Sequence, residues 1–209
     1  MRKFRIFTVI AVITAFFTVG HSQGMIEKGV IGGINYVSIG GPDSDFDDGE
    51  TKRLMRFTVG GYATFKLSNM FNVRPEMHYS MKGYGFELSD SETERSGEMR
   101  INYLDIPVLV MINPTPKLKV FAGPSIGIYL NGEVYSKISY NGESISRTED
   151  IEDDLVASPD FGAVIGSSYS VTDKLSLDVR YTMGLKTIAD EGGEDIKHNG
   201  LQLLLSRNF

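Results

Sequence analysis

The residues with the spacing to do chemistry are few, and each fails on its surroundings. Gly123-Pro124-Ser125-Ile126-Gly127 matches the nucleophile-elbow pattern of serine hydrolases. That motif works where a sharp strand-to-helix turn exposes the serine hydroxyl. Here strand-like residues, Tyr129 among them, follow and no helix does. His198 lies downstream, but no acid and histidine follow Ser125 in a triad's order, so the glycines read as room for bulky neighbours. Asp43-Ser44-Asp45-Phe46-Asp47-Asp48-Gly49-Glu50 places aspartates at the first, third and fifth positions of a calcium loop. Its glycine is one residue late and the twelfth position is Leu54, which has no oxygen to offer, so only a weak divalent site on a solvated acidic loop is left. His21, His78 and His198 are too scattered for zinc, and Asp153-Asp154 lacks a pocket for acid–base work. These residues assign no catalytic, cofactor-binding or metal-ligating role.

A second set of ionic residues carries a stronger signal. Leu175, Leu177, Val179, Tyr181, Met183 and Leu185 alternate with Ser176, Asp178, Arg180, Thr182 and Gly184. This is the period of a strand with one apolar and one polar face. Leu201, Leu203, Leu205 and Phe209 repeat it, broken only at Arg207. On the same polar parity within other strands lie Arg74, Glu76, Asp105 and Asp160. In a soluble sandwich the polar face meets water. In an outer-membrane barrel the apolar face meets lipid and the polar face fills the lumen. An eight-stranded barrel is just wide enough for side chains to fill. Arg74, Glu76, Asp105, Asp160, Asp178 and Arg180 would then face one another, and buried charges persist only when paired. The expectation is an Arg/carboxylate network plugging the lumen, with His78 beside it.

The elements that must position this network read as eight strands, at 29–39, 54–66, 71–84, 99–112, 118–130, 159–170, 174–186 and 198–209. Tight turns at Ser68-Asn69, Asn113-Pro114-Thr115-Pro116 and Thr172-Asp173 alternate with long connections at 40–53, 85–98, 131–158 and 187–197. Short-long alternation is the mark of an up-and-down barrel with periplasmic turns and extracellular loops. The long connections, the last taken from 186 to 199, hold 21 of the 27 acidic residues. Pro75 and Pro107 fall inside strands and argue mildly against central pairing unless a bulge absorbs each of them. Phe65, Phe71, Tyr169 and Phe209 sit beside the short turns as an interfacial girdle.

Arg2, Lys3 and Arg5 precede an apolar stretch to Val19 and small or polar residues at Gly20 and Ser22. That layout predicts a signal peptide over 1–22 and a barrel domain over 23–209. The chain has no cysteine, which removes a lipoprotein anchor, disulfides and thiolate metal sites. Its net charge of −6 becomes more negative once the basic leader is gone, which argues against nucleic-acid binding.

The chain also resembles the PorT-like outer-membrane β-barrel family of Bacteroidetes-type bacteria. The resemblance is carried by Arg74-Pro75-Glu76, Tyr103-Leu104-Asp105-Ile106-Pro107 with Leu109, and Ala122-Gly123-Pro124 with Gly127. Asp160-Phe161-Gly162, Arg180-Tyr181 with Gly184-Leu185, and the terminal Phe209 complete it. It implies an eight-stranded antiparallel barrel inserted by the barrel-assembly machinery, which reads Phe209 as part of an assembly signal. Arg207 departs from that signal, which usually has an apolar residue there. The resemblance implies little about activity beyond one member's link to a secretion system. The expected partners are outer-membrane lipid, lipopolysaccharide and a protein partner at the acidic loops, with no cofactor. Two rivals are a soluble periplasmic lipocalin-like barrel with its apolar parity inward, and an outer-membrane enzyme using Ser125 and His198.

Overall fold

The computed structural model describes residues 24–39, 51–89, 93–140, 143–151, 156, 158–185 and 197–209. The expected leader over 1–22, the acidic run Asp43–Glu50 and the pair Asp153-Asp154 lie outside them. In chain order the strands are β1 (Met25–Ile39), β2 (Thr51–Lys52), β3 (Leu54–Lys66), β4 (Phe71–Ser89), β5 (Thr93–Ile112), β6 (Leu118–Tyr140), β7 (Glu143–Asp150), β8 (Asp160–Ser170), β9 (Leu175–Gly184) and β10 (His198–Asn208). Eight close a ring in the order β4-β3-β1-β10-β9-β8-β6-β5 and back to β4, every pair antiparallel. Closure leaves the ring no free edge, as hydrocarbon requires. The seam runs from Gly29↔Asn208 to Ile39↔His198, and the Phe209 amide extends it by donating to the Lys28 carbonyl at 3.0 Å.

The three short turns share one device. Ser68 Oγ accepts from the amides of Met70 and Phe71, Thr115 Oγ1 from Leu118, and Thr172 Oγ1 from Lys174 and Leu175. A hydroxyl that satisfies the amide of the incoming strand fixes where that strand starts, and with it the register. These hydroxyls, rather than the Asn and Asp beside them, do the capping.

Burial runs opposite to that of a soluble protein. Val30, Ile34, Phe57, Val59, Val110, Ile165, Leu201 and Leu203 point outward and are exposed, while Arg74, Glu76, Asp178 and Arg180 are buried. Leu177 and Val179 are 38% and 43% exposed, so the lipocalin-like alternative, which needs them inside, is overturned. A continuous outward apolar surface of this size belongs against lipid. Aromatics border it at both ends. Phe71, Tyr169 and Phe209 lie at the turn end, while Tyr36, Phe57, Phe161 and Tyr181 form an outer group that the turn-based reading misses. Phe71 and Tyr79 bracket the belt on β4, and eight residues at ~3.3 Å each and ~40° tilt span about 20 Å, close to an outer-membrane apolar band.

Two expectations change. Segments 85–98 and 131–158 are not plain loops: β4 and β5 stay paired to Ser89↔Glu94, and β6 runs to Tyr140 before folding back as β7. With β2 they form an extracellular sheet rising from one side of the ring. Its strands have water beside them and need no apolar alternation, so the period that marks membrane strands fades where pairing continues. Nor does a bulge form at either proline. Register is unchanged across the gap from Pro75↔Val108 to His78↔Asp105, and from Pro107↔Ser125 to Val110↔Ala122. A few ladder pairs are lost beside each proline, and the bulge of this region lies at Asn102/Tyr103 instead.

Candidate functional site

The site is the lumen. All six charged residues expected there lie inside the ring, but in two groups rather than one. Arg74 and Glu76 stand three and five residues into β4, and Asp178 and Arg180 at the same level on β9. In the ring β4 and β9 are four strands apart in either direction, so this group crosses the full diameter. Arg180 Nη1 donates to Glu76 Oε2 at 2.7 Å and its Nη2 to Asp178 Oδ2 at 2.8 Å. Arg74 Nη2 donates to the same Asp178 oxygen at 3.2 Å. Arg74 Nε lies 2.8 Å from Glu76 Oε1, though its N–H is not aimed along that line. The charges alternate around a square, and each has two opposite neighbours. The Arg74 guanidinium also lies 4.0 Å above the Tyr62 ring, and that of Arg180 5.1 Å from Phe121. Such contacts replace part of the water both cations lose. His78 Nε2 stands 3.0 Å from Glu76 Oε2.

Asp105 and Asp160 form the second group nearer the outer rim. Their partner is Lys82, whose Nζ lies 2.9 Å from Asp105 and 3.6 Å from Asp160. Lys82 also lies 4.5 Å from the Tyr103 ring centre. Gly127 leaves space for this group, since a Cβ there would fall 2.9 Å from Asp105 Oδ1. A third tie, Lys119 to Glu27 at 2.9 Å, again joins strands four apart, near the turn end. Lys82, Lys119 and Glu27 are not among the six charges expected to pair, although Lys82 and Lys119 fall on the polar parity of their strands; Glu27 precedes the expected start of its strand at 29. The space between the ties is filled by apolar side chains: Ile31, Tyr62 and Leu204 on one side, and Leu109, Met111, Phe121 and Val164 on the other. Ile101, Tyr103, Tyr129 and Val156 cap the outer end. The lumen is thus a layered core, part ionic and part apolar.

Ser125 and His198 do line one small cavity in the outer lumen, together with Lys82, Asp105 and Asp160. No hydrogen bond joins them among the described residues, and neither ring nitrogen of His198 has a partner there. A serine without an aligned base has no route for its proton. No cluster of three or more histidine or carboxylate side chains is placed to hold a metal among the described residues.

Above the membrane, Glu98 accepts from Arg56 at 2.9 Å and from Arg100, which also reaches Glu133 at 3.0 Å. Partial burial raises the Glu98 pKa, but the hydrogen bonds from Arg56 and Arg100 outweigh it and hold the carboxyl below the usual carboxylate range. A depressed folded pKa adds stability that is present above the unfolded value of about 4.3 and is lost as pH falls through the folded one. Amide exchange over Gly97–Asn102 should therefore accelerate below about pH 4 more in the native chain than in Glu98→Gln. Identical acid profiles for the two would count against this tie.

The family pattern described as outer membrane protein beta-barrel domain matches residues 20–190. The chain belongs to that family. Its members are integral to the outer membrane, and so is this barrel, with its apolar belt toward lipid. No curated protein matches the sequence. Among solved structures, the family member is similar to Neisserial surface protein A (13% identity, 90% of this chain and 100% of that one, TM-score 0.49). It is also similar to Ail, the attachment invasion locus protein of Yersinia pestis (12% identity, 90% and 100% covered, TM-score 0.45). It is similar as well to a de novo designed transmembrane β-barrel (12% identity, 90% and 98% covered, TM-score 0.40).

Proposed function

We propose that this barrel is a non-enzymatic anchor, of the PorT-like kind, that presents an acidic extracellular surface to a partner in the cell envelope. The observation that carries this reading is the Arg74–Glu76–Asp178–Arg180 bridge, which spans the lumen from wall to opposite wall. A lumen crossed by ionic ties and packed with apolar side chains leaves no water column for a diffusing solute. What the barrel offers instead stands outside: the sheet of β2, β4, β5, β6 and β7, and the connections rich in carboxylates. Ile145 at its far hairpin is 78% exposed, opposite the exposed Ile138, an apolar spot on an acidic surface. Its partner is an envelope protein, with lipopolysaccharide reached through divalent ions as the lipid-side contact, in a role tied to secretion or envelope integrity.

The test has two arms. The folded protein in liposomes should give no swelling with small sugars, and a photocrosslinker at Ile145 in intact cells should capture a discrete envelope protein. Solute flux from the unaltered barrel would overturn the anchor reading.

Insertion is the second element of the proposal. Phe209 serves as the terminal aromatic read by the barrel-assembly machinery, and Arg207 beside it keeps its charge in the interface by snorkelling. Deleting Phe209 should lower the amount of folded, heat-modifiable barrel in the outer membrane several-fold, read by semi-native electrophoresis. Unchanged levels would remove this residue from the signal.

A further inference from the structure

The outer wall carries a feature that the lumen does not account for. Where β5, β6, β8 and β9 run side by side, the lipid-facing surface is hollowed into a groove of about 600 Å3. Val110 and Val120 stand on one bank, Val179 and Tyr181 on the other. Ala122 and Gly166 make its floor thin. Gly166 faces inward, where a Cβ would fall 2.7 Å from Arg180 Cβ and 2.8 Å from Phe121 Cε2, so the backbone of β8 lies close against the packed lumen at the floor of the groove. The groove lies in the half of the belt nearest the short turns, the periplasmic leaflet.

Two of those turns meet at its mouth. The Lys117 carbonyl accepts the Ser170 amide at 2.8 Å, which sets the turn before β6 against the turn before β9. Each turn carries an exposed lysine, Lys117 and Lys174, and neither has an ion-pair partner among the described residues. Tyr169, half exposed, marks the interface level beside them. Asp173 shares the second turn with Lys174, so the mouth carries two lysines against one carboxylate, while 21 of the 27 acidic residues lie in the connections at the opposite end of the barrel.

We propose that the groove is a specific site for one anionic phospholipid of the periplasmic leaflet, with an acyl chain along Ala122 and Gly166 and the phosphate headgroup held by Lys117 and Lys174. An apolar trough at acyl depth, ending at two unpaired cations at headgroup depth, fits that molecule in both parts. A second copy of this chain would bring the same two lysines against its own, at a cost in like-charge repulsion.

The test uses the full barrel refolded in phosphatidylcholine vesicles with or without phosphatidylglycerol, then native mass spectrometry. The native protein should retain one phosphatidylglycerol in preference to phosphatidylcholine. Lys117→Gln and Lys174→Gln should each reduce that preference about fivefold, the weight of one cation near an anionic surface. Ala122→Phe, which fills the trough from the lipid side, should reduce retention of both lipids. Because the two lysines lie in exposed turns, their variants keep the test valid even if Ala122→Phe does not fold. Equal retention of the two lipids by the native chain, or no change in the lysine variants, would overturn the proposal. So would efficient disulfide formation between copies carrying Ala122→Cys, which would make the groove an interface between barrels.

Discussion

Arg180→Ala is expected to destabilise the folded barrel by about 3–5 kcal/mol, the usual cost of removing one member of a buried ion pair. The reason is what it leaves behind. Glu76 loses the donor at 2.7 Å and Asp178 the donor at 2.8 Å, and Arg74 alone must then serve two carboxylates. Arg180 is 1% exposed, so water cannot enter without opening the packing around Phe121. Arg180→Lys should recover only part of the loss, because one ammonium cannot reproduce the planar fork that serves both acids. The measurement is urea unfolding in lipid vesicles, followed by heat-modifiable migration. An unchanged midpoint for Arg180→Ala would mean that the square of charges adds nothing to stability.

Much of this site could be read in the sequence because the strand period is strict. In β9 every second residue is apolar, β10 keeps the period except at Asn199 and Arg207, and parity alone placed Asp178 and Arg180 inside. Parity says which wall a residue faces but not how high it stands or across from what. The split into two ionic groups was therefore not legible: it depends on the stagger of β8 against β4, which sets Asp160 beside Lys82 rather than beside Arg74. The extracellular sheet was missed for a different reason. Pairing above the membrane needs backbone hydrogen bonds only, and the composition of 143–150 is that of any solvated segment. Leu204 is a third case. Parity turns it inward, opposite to Leu203 and Leu205, and only closure of the ring shows that it packs against Ile31 and Tyr62.

Replacing all four members of the bridge should cost less than removing one. Arg74→Met, Glu76→Leu, Asp178→Leu and Arg180→Met together leave no charge behind, and the new side chains keep much of the volume. Buried ion pairs exchanged for apolar groups of similar size are often neutral or better, so the quadruple variant should stand within about 2 kcal/mol of the native barrel. The single Arg180→Ala variant should lie well below both. This ordering separates two accounts of the lumen. If the ionic square supplies net stability, the losses will accumulate and the quadruple variant will be the weakest of the three. If the square chiefly satisfies charges that the strands already commit to the interior, removing them as a set relieves the desolvation that made them interdependent. His78 supplies an internal control, since it approaches the carboxylate of Glu76 and loses that partner only when Glu76 is replaced. Liposomes carrying the quadruple variant should remain impermeable to small sugars, because Phe121, Met111 and Leu204 still fill the lumen beside the bridge. Flux through this variant would show that the four charges, and not the apolar packing beside them, close the barrel.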